Sequence, residues 1–305
     1  MRVTVRLFAM QRELVGRREI TMDVDSGANA GTIWSAVVAA HPGLTAASAV
    51  VRFARNGRYA DPSVELHDGD ELAVIPPVAG GSRSWDSQHP AESQHPAESQ
   101  HPAESQHPAE SQAAAGAPDR RGPLRELALT AEPLDDGTVA DLRRMVAGPA
   151  DGAVVTFIGQ TRESPGTPAP GQEAEAERHA GQAVLELEYE AFEPMALAVL
   201  EAIADEIAER FGVTRLAIIH RTGSVAVAEM SVAIVVAAAH RGVAFDACRY
   251  AIEELKARAP IWKAERFVDG EVWMGAPARS GPGPRPSGDR PTSRPAHLEI
   301  DKDQG

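Results

Sequence analysis

Two lysines beside an apolar helical segment are the strongest candidates for acid–base or nucleophilic chemistry. Lys256 follows the apolar stripe of residues 244–255, and Lys263 follows the turn at Pro260-Ile261-Trp262. Lysine in the last turn of a helix is favoured by the helix dipole, which gives Lys256 a purely structural explanation. The turn, however, returns Lys263 to apolar surface. Desolvation there lowers the pKa of an amine, which could then act as an acid, base or nucleophile.

Three basic segments at strand ends have the composition of anion sites. Arg162 follows the strand-like segment FIGQT, and AHRG at 239–242 places His240 and Arg241 where a helix begins. Backbone amides at a helix N-terminus, together with a guanidinium, suit a phosphate. The segment HRTG at 220–223 repeats the pattern one strand earlier. Each segment also has a structural interpretation, as surface arginine or as a basic pair beyond a buried strand.

The segment PPVAGG at 76–81 ends in Gly80 and Gly81. Without side chains, such a dipeptide can enter a narrow channel and present its carboxyl carbon to a partner's active site. The alternative is that the two glycines only open a flexible linker.

The elements before this tail indicate a first domain at residues 1–81. Strand-like segments at 3–8, 19–24, 50–54 and 71–75 surround a helical segment at 32–40, with an Asn-Gly turn at 56–57. The order β-β-α-β-β is that of a β-grasp (ubiquitin-like) domain. We therefore predict an α+β protein whose N-terminal domain has this fold.

Residues 82–127 are predicted to form a disordered linker. Four copies of Ser-Gln-His-Pro-Ala-Glu at 87–110 cannot bury a core, and proline recurs in every unit. The four repeat histidines could bind metal, but their spacing is a by-product of the repeat, so we predict no metal site. Residues 275–305 are rich in Pro, Gly, Ser and Arg and are predicted to be a disordered tail.

A second domain is predicted at residues 128–274. Helical segments at 139–146, 194–211 and 244–257 alternate with strand-like segments at 152–159, 183–189, 214–220 and 230–239. This pattern is typical of an α+β domain. The polar segment 161–182 is predicted to be a long mobile loop.

Composition excludes several classes of function. A net charge of −14 over 305 residues argues against nucleic acid as a partner, and no apolar run approaches the ~20 residues of a membrane helix. The charged, alternating start is unlike a signal peptide, so we expect a cytoplasmic protein. The only cysteine, Cys248, falls on a buried helical stripe, which excludes an intrachain disulfide and a Cys-rich metal site.

Residues 1–81 resemble the small subunit of molybdopterin synthase. The likeness rests on LFA at 7–9, the turns at 56–57 and 68–71, and PPVAGG at 76–81. In that ubiquitin-like sulfur carrier the terminal Gly-Gly carboxylate is adenylated and converted to a thiocarboxylate, which stores sulfur without a cysteine. Here Ser82 follows Gly81, so that the carboxyl group is not free.

Residues 128–274 resemble the large subunit of the same enzyme. The likeness rests on the segments 157–162, 187–192, 220–223, 239–241, 245–248 and 255–263. It implies catalytic roles for Lys256, Lys263 and Gly81, and insertion of Gly80 with the tail. It implies substrate binding by Arg162, His240, Arg241, Gln160, Thr161, Ala264 and Glu265.

The resemblance implies a molybdopterin synthase that needs no bound cofactor. It would add two sulfurs from Gly81 thiocarboxylates to cyclic pyranopterin monophosphate. The implied partners are an adenylating and sulfurating enzyme, a second copy paired through the C-terminal domain, and a protease that cuts after Gly81. Two alternatives remain open: a sulfur carrier or modifier whose second domain only binds partners, and a structural fusion with a dead active site.

Overall fold

The structure, a computed structural model, describes residues 1–78, 122–169 and 172–275. The predicted repeat linker at 87–110, the Gly80-Gly81 tail and residues 276–305 lie outside the described residues. None of the helices in those ranges combines the length and the apolar composition of a membrane span.

The first domain has the predicted ubiquitin-like fold. Its sheet has the strand order β2-β1-β5-β3-β4, with β1 parallel to β5 and the other neighbours antiparallel. The elements are β1 (Arg2–Leu7), α1 (Ala9–Val15), β2 (Glu19–Asp23), α2 (Ala30–Ala40), a 3-10 helix (Pro42–Val50), β3 (Arg52–Arg55), β4 (Arg58–Ala60) and β5 (Glu71–Ile75). Helix α2 packs Ile33, Trp34 and Val37 into the core beneath the sheet.

Helix α2 begins two residues before its predicted start because of a local hydrogen-bond pair. The Asn29 side chain accepts from the Thr32 amide, and the Thr32 hydroxyl accepts from the Asn29 amide. This capping box satisfies donors that a helix N-terminus otherwise leaves free. Helix α1 was absent from the sequence prediction. It is only seven residues long and ends at Gly16, whose φ of 73° lies in the left-handed region.

The second domain is the predicted α+β domain, built on two four-stranded sheets. One sheet has the order β6-β9-β11-β7 and the other β10-β8-β12-β13. The elements are β6 (Leu124–Thr130), α3 (Asp136–Val146), β7 (Ala153–Gln160), α4 (Glu173–Arg178), β8 (Glu186–Ala191), α5 (Glu193–Phe211), β9 (Arg215–Arg221), β10 (Gly223–Ala226), β11 (Met230–Ala238), α6 (Arg241–Arg258), β12 (Ile261–Arg266) and β13 (Glu271–Met274).

Helices cover both faces of the first of these sheets. Helices α5 and α6 pack on one face, and α3 packs on the other. Strand β11 is therefore buried along almost its whole length, which explains its continuous apolar run. Cys248 lies on the buried face of α6, in agreement with its place on the predicted stripe.

Strands β10, β12 and β13 were not predicted from the sequence, and two further segments of the second domain differ from the prediction. Strand β6 begins at Leu124, four residues before the predicted domain, because residues 124–130 pair in parallel with β9. The segment predicted as a long loop contains helix α4, and His179, at its end, is buried and stacks on Phe267 with ring centroids 4.6 Å apart.

Candidate functional site

The first domain docks on the second through an aromatic cluster. Phe8, at the end of β1, lies 4.9 Å from the Trp262 ring and 5.0 Å from the Phe192 ring, measured between centroids. The Trp262 indole donates a 3.1 Å hydrogen bond to the Pro76 carbonyl oxygen. Burial of large aromatic rings supplies most of the energy of such interfaces. This cluster therefore fixes the start of the tail that leads to Gly80 and Gly81.

Glu190 of β8 adds a polar contact to the same interface. Its carboxylate accepts a 3.2 Å hydrogen bond from the Ala9 amide and forms a 3.0 Å ion pair with Arg12. Ala9 has a φ of 49°, a conformation that costs a residue other than glycine about 1 kcal/mol or more. Its amide is held there by a carboxylate of the other domain. Arg18 lies 3.7 Å from the same carboxylate.

We expect Glu190→Ala to shift the equilibrium between docked and separated domains by about tenfold or more. The change leaves the Ala9 amide and Arg12 without their acceptor, and hydrogen bonds to a charged group contribute about 1.5–3 kcal/mol. Small-angle scattering of the full chain should show a larger radius of gyration. Glu188→Ala is the matched control, because Glu188 pairs with Arg266 inside the second domain. Equal scattering from both variants would contradict the role of Glu190.

A pocket of about 410 Å³ lies next to Pro77 and Val78, the last described residues of the first domain. It opens between the two sheets of the second domain and the C-terminal end of α6. Its wall contains three cationic side chains, a carboxylate, an amide and an imidazole: Arg162, Lys256, Lys263, Glu265, Gln160 and His220. We refer to it as the cationic pocket. Gly275 is also part of its wall, and a Cβ atom there would lie 3.2 Å from the Pro77 carbonyl oxygen and 3.5 Å from that of Val78.

Both lysines of the cationic pocket are shifted toward their neutral form. Burial lowers the pKa of Lys263, and the nearby charges of Lys256 and Arg162 lower it further, although Glu265 opposes the shift. Burial and the charge of Arg162 lower the pKa of Lys256. The chain has only three lysines, and two of them line this pocket. The pocket thus holds two amines that can give up a proton, which the guanidinium of Arg162 cannot do.

Glu265 is the carboxylate of the pocket and also its link to the segment that follows β7. It is only 3% exposed, and its two oxygens accept from the Gly166 amide at 2.9 and 3.1 Å. Burial raises the pKa of Glu265. A Cβ atom at Gly166 would lie 3.1 Å from the Glu265 carboxylate, so that close approach depends on glycine.

The structure brings together five of the residues predicted for the site and separates others. Gln160, Arg162, Lys256, Lys263 and Glu265 share the cationic pocket. Ala264 does not, because successive side chains of β12 alternate between faces. Ala264 packs in the hydrophobic cluster between the two domains, here called the interdomain cluster, which also contains Phe8, Val78 and Trp262. Thr161 is buried behind the pocket, where its backbone pairs with Ala228 and Glu229.

His240 and Arg241 lie at the opposite end of the sheet from the cationic pocket. They follow β11, whose residue Ala238 pairs with Ala153 at the start of β7. The pocket residue Gln160 is the last residue of β7, seven positions farther along. At about 3.3 Å per residue these ends are about 23 Å apart. Within one chain, His240 and Arg241 are therefore too far from the cationic pocket to line it.

The pocket also contains His220 and Tyr189, which were not among the predicted site residues. His220 belongs to the basic segment 220–223, and its ring packs edge-on against Tyr189, with centroids 5.0 Å apart. Both line the pocket. Tyr189 pairs with Lys263 across strands β8 and β12, a register that depends on long-range pairing. The basic segment 220–223 had indicated His220 as a possible anion-binding residue. Only its place in the family-like segment 187–192 had indicated Tyr189.

Fold and site together define a ubiquitin-like carrier domain docked at a cationic pocket of an α+β domain. The sequence matches the MoaE protein family at residues 129–258 and the ThiS family at residues 5–81. Because relatives more than 30% identical are covered over more than two thirds of their length, the chain belongs to the family of molybdopterin synthase catalytic subunits, and a ThiS-family domain precedes the matching region. The resemblance to both subunit types of this enzyme, expected from the sequence, is confirmed.

Relatives named "Molybdopterin synthase catalytic subunit" support this membership. The Arabidopsis thaliana protein is 38% identical over 145 residues, which cover 47% of this chain and 66% of that protein. The Halalkalibacterium halodurans protein is 37% identical over 151 residues, covering 50% of this chain and 86% of that protein. A molybdopterin synthase structure from Staphylococcus aureus is 35% identical, covers 48% of this chain and 96% of its own, and aligns with a TM-score of 0.42.

Proposed function

We propose that this chain is a molybdopterin synthase that carries its own sulfur donor. Its two domain families place it in molybdopterin biosynthesis. The sulfur would come from a thiocarboxylate at Gly81, made by a separate adenylating and sulfurating enzyme. The acceptor would be cyclic pyranopterin monophosphate, and the product the molybdopterin dithiolene.

The position of Val78 is the observation that supports this proposal most directly. Val78 is buried in the interdomain cluster, and its carbonyl lies beside Gly275 in the wall of the cationic pocket. Gly81 is three residues farther along, a distance that extended chain covers in about 10 Å. A tail that starts here can reach the two lysines, and Gly80 and Gly81 add no side chain to obstruct it.

The charges of the pocket suit the substrate and the transfer. Arg162, Lys256 and Lys263 offer a cationic surface to a phosphate on an otherwise acidic chain. The thiocarboxylate sulfur would attack an oxygen-bearing carbon of the substrate. The carbon–oxygen bond there would break, and the oxygen would leave with a proton donated by a lysine of the pocket. Water would then cleave the bond between sulfur and Gly81, so that sulfur stays on the substrate and Gly81 leaves as a carboxylate. We assign Lys256 to activation at the thiocarboxylate carbon and Lys263 to polarisation of the substrate.

The test is conversion of cyclic pyranopterin monophosphate by the purified chain with Gly81 freed and thiocarboxylated. Mass spectrometry should show a product that has gained two sulfurs, and one carboxylate-terminated carrier for each sulfur. A stable thiocarboxylate without any pterin product would instead favour the alternative function, a sulfur carrier whose second domain only binds partners.

We propose further that His240 and Arg241 serve the pocket of a second copy. Strand β7 is an edge strand that exposes Val154 and Ile158, and an apolar edge is a surface on which strands pair. Antiparallel pairing of two β7 edges about a two-fold axis would bring the end of one β7 to the start of the other. Arg241 lies about 23 Å from the cationic pocket of its own chain. In this dimer it would instead lie near the cationic pocket of the second copy.

Mixing two inactive variants should restore activity if this dimer forms. We expect Lys263→Ala and Arg241→Ala to be nearly inactive alone. A mixed dimer has one complete site, formed by Lys263 of one copy and Arg241 of the other. Random re-pairing after mild dissociation should thus recover about a quarter of wild-type turnover. If Arg241 served its own pocket, no mixed dimer would contain a complete site, and turnover would stay at the level of the single variants.

A further inference from the structure

His220 is a buried histidine that the proposed sulfur transfer does not use. It lies near the end of β9, is 6% exposed, and forms part of the wall of the cationic pocket. Its Nδ1 atom lies 2.7 Å from the carbonyl oxygen of Arg221, and Tyr189 packs against the ring. Two neighbours therefore hold the imidazole in one orientation.

The surroundings of His220 also fix its protonation. Burial lowers the pKa of this imidazole to about 4, and the charge of Lys256 contributes although the Arg221 carbonyl opposes it. The ring is therefore neutral at pH 7. A carbonyl oxygen only accepts hydrogen bonds, so that the single ring proton belongs on Nδ1. Nε2 then carries a lone pair.

That lone pair is available to a ligand. Nε2 takes no hydrogen bond from any residue that the structure describes, and it is not among the buried polar atoms without a partner. Since Nδ1 faces the main chain, Nε2 is the polar atom that the ring presents to the cavity.

His220 contributes a neutral nitrogen acceptor, which no other side chain lining the cationic pocket provides. Arginine and lysine side chains only donate. The Gln160 amide nitrogen donates to the Ala228 carbonyl at 2.9 Å, and the Ser231 hydroxyl donates to the Gly159 carbonyl at 3.2 Å. The Glu265 carboxylate already accepts from the Gly166 amide. A ligand with both an anionic group and an N–H donor would thus meet cations at one part of the pocket and His220 at another.

We propose that Nε2 of His220 accepts a hydrogen bond from a ring N–H or amino group of the substrate heterocycle and thereby selects and orients it. The inference rests on the proposed function, because a pterin supplies both the anionic phosphate and these nitrogen donors. A cation at this position would repel an N–H group, and an apolar residue would leave it unpaired. His220 is on this account a specificity residue, whereas the lysines act on the reacting atoms.

Two near-isosteric substitutions separate this role from a structural one. In His220→Asn the side-chain amide can occupy the place of Nδ1 and keep the bond to the Arg221 carbonyl, but no acceptor reaches the cavity. In His220→Gln the amide oxygen can occupy the place of Nε2, and the bond to Arg221 is lost. We expect the Kd of the full chain for cyclic pyranopterin monophosphate, measured by calorimetry, to rise about tenfold in His220→Asn and to change less in His220→Gln. That is the size expected for loss of one neutral hydrogen bond. Inorganic phosphate, which uses the cations alone, should bind both variants like the wild type.

The possible outcomes are distinct. If His220→Asn binds the pterin like the wild type while His220→Gln is destabilised, the histidine is structural and the inference is wrong. If the wild-type chain itself does not bind the pterin, the proposed function fails first. Nitrogen-15 NMR of labelled histidine in the full chain gives a measurement that needs no substrate. The His220 ring should show a neutral ring protonated on Nδ1 at pH 7, and a proton on Nε2 would overturn the proposal.

Discussion

Replacing Lys263 by alanine should lower the rate of dithiolene formation by about 100-fold or more while the domain stays folded. Lys263 projects from β12 into the cationic pocket, between Arg162, Lys256 and Glu265. A charge-stabilising or proton-transferring group in such a partly desolvated site commonly contributes two orders of magnitude or more. Lys256→Ala should have an effect of the same size.

Arginine variants show which property of the lysines matters. Lys263→Arg and Lys256→Arg keep a positive charge, but a guanidinium stays protonated and cannot give its proton to a reacting oxygen. We expect Kd for the pterin to stay within a few-fold of wild type and kcat to fall nearly as far as in the alanine variants. Lys302→Ala is the matched control, since it changes the third lysine of the chain, outside the described residues. Near wild-type kcat in the alanine variants, with thiocarboxylated carrier supplied, would show that the catalytic assignment is wrong.

The placement of the lysines shows how far the sequence alone leads. The Pro260-Ile261-Trp262 turn indicated that Lys263 returns to buried surface, and the structure has it in β12 beside Tyr189. The same alternation puts Ala264 on the opposite face, which strand periodicity would have indicated had β12 been recognised. Strand β12 is short, and half of its residues are charged, so its sequence does not indicate a buried strand. It is buried because it pairs with β8 on one side and with β13 on the other.

His240 and Arg241 show a different limit. The prediction that they follow an apolar strand was correct. A short sequence motif, however, does not show how far its residues lie from those of another motif, here the residues of the cationic pocket. That distance depends on the register of β7 against β11, which pairs Ala153 with Ala238 and Gln160 with Met230. Pairing of this kind is set by the whole core. The contact between Phe8 and Trp262, through which the first domain docks, could not be predicted from the sequence either, because the two residues are more than 250 positions apart.

The chain should be inactive until it is cut after Gly81. A thiocarboxylate requires a free carboxyl group, and the Gly81–Ser82 peptide bond removes it. A tether raises the local concentration of the carrier but creates no carboxylate. We therefore propose that a protease releases residues 1–81. Gly80, Gly81 and Ser82 are small, and a segment without bulky side chains suits the extended conformation in which proteases bind their substrates.

Gly81→Ile should block the cut and abolish molybdopterin formation in cells, with at least about a 100-fold loss, because no sulfur can be loaded. Intact-mass measurement should find only the uncut chain, whereas Ser82→Ala, the matched control, should still yield a carrier that ends at Gly81.

Supplying residues 1–81 as a separate polypeptide should restore activity to Gly81→Ile. The tethered copy, held by Phe8 and Glu190 beside the pocket, competes for the same docking surface. In the double variant Gly81→Ile, Glu190→Ala, the tethered and the free carrier both dock more weakly, and the tethered carrier keeps its higher local concentration. We therefore expect rescue of the single and of the double variant to need an excess of the free carrier. Molybdopterin made by an uncut Gly81→Ile chain alone would show that cleavage is unnecessary and that the sulfur comes from another carrier.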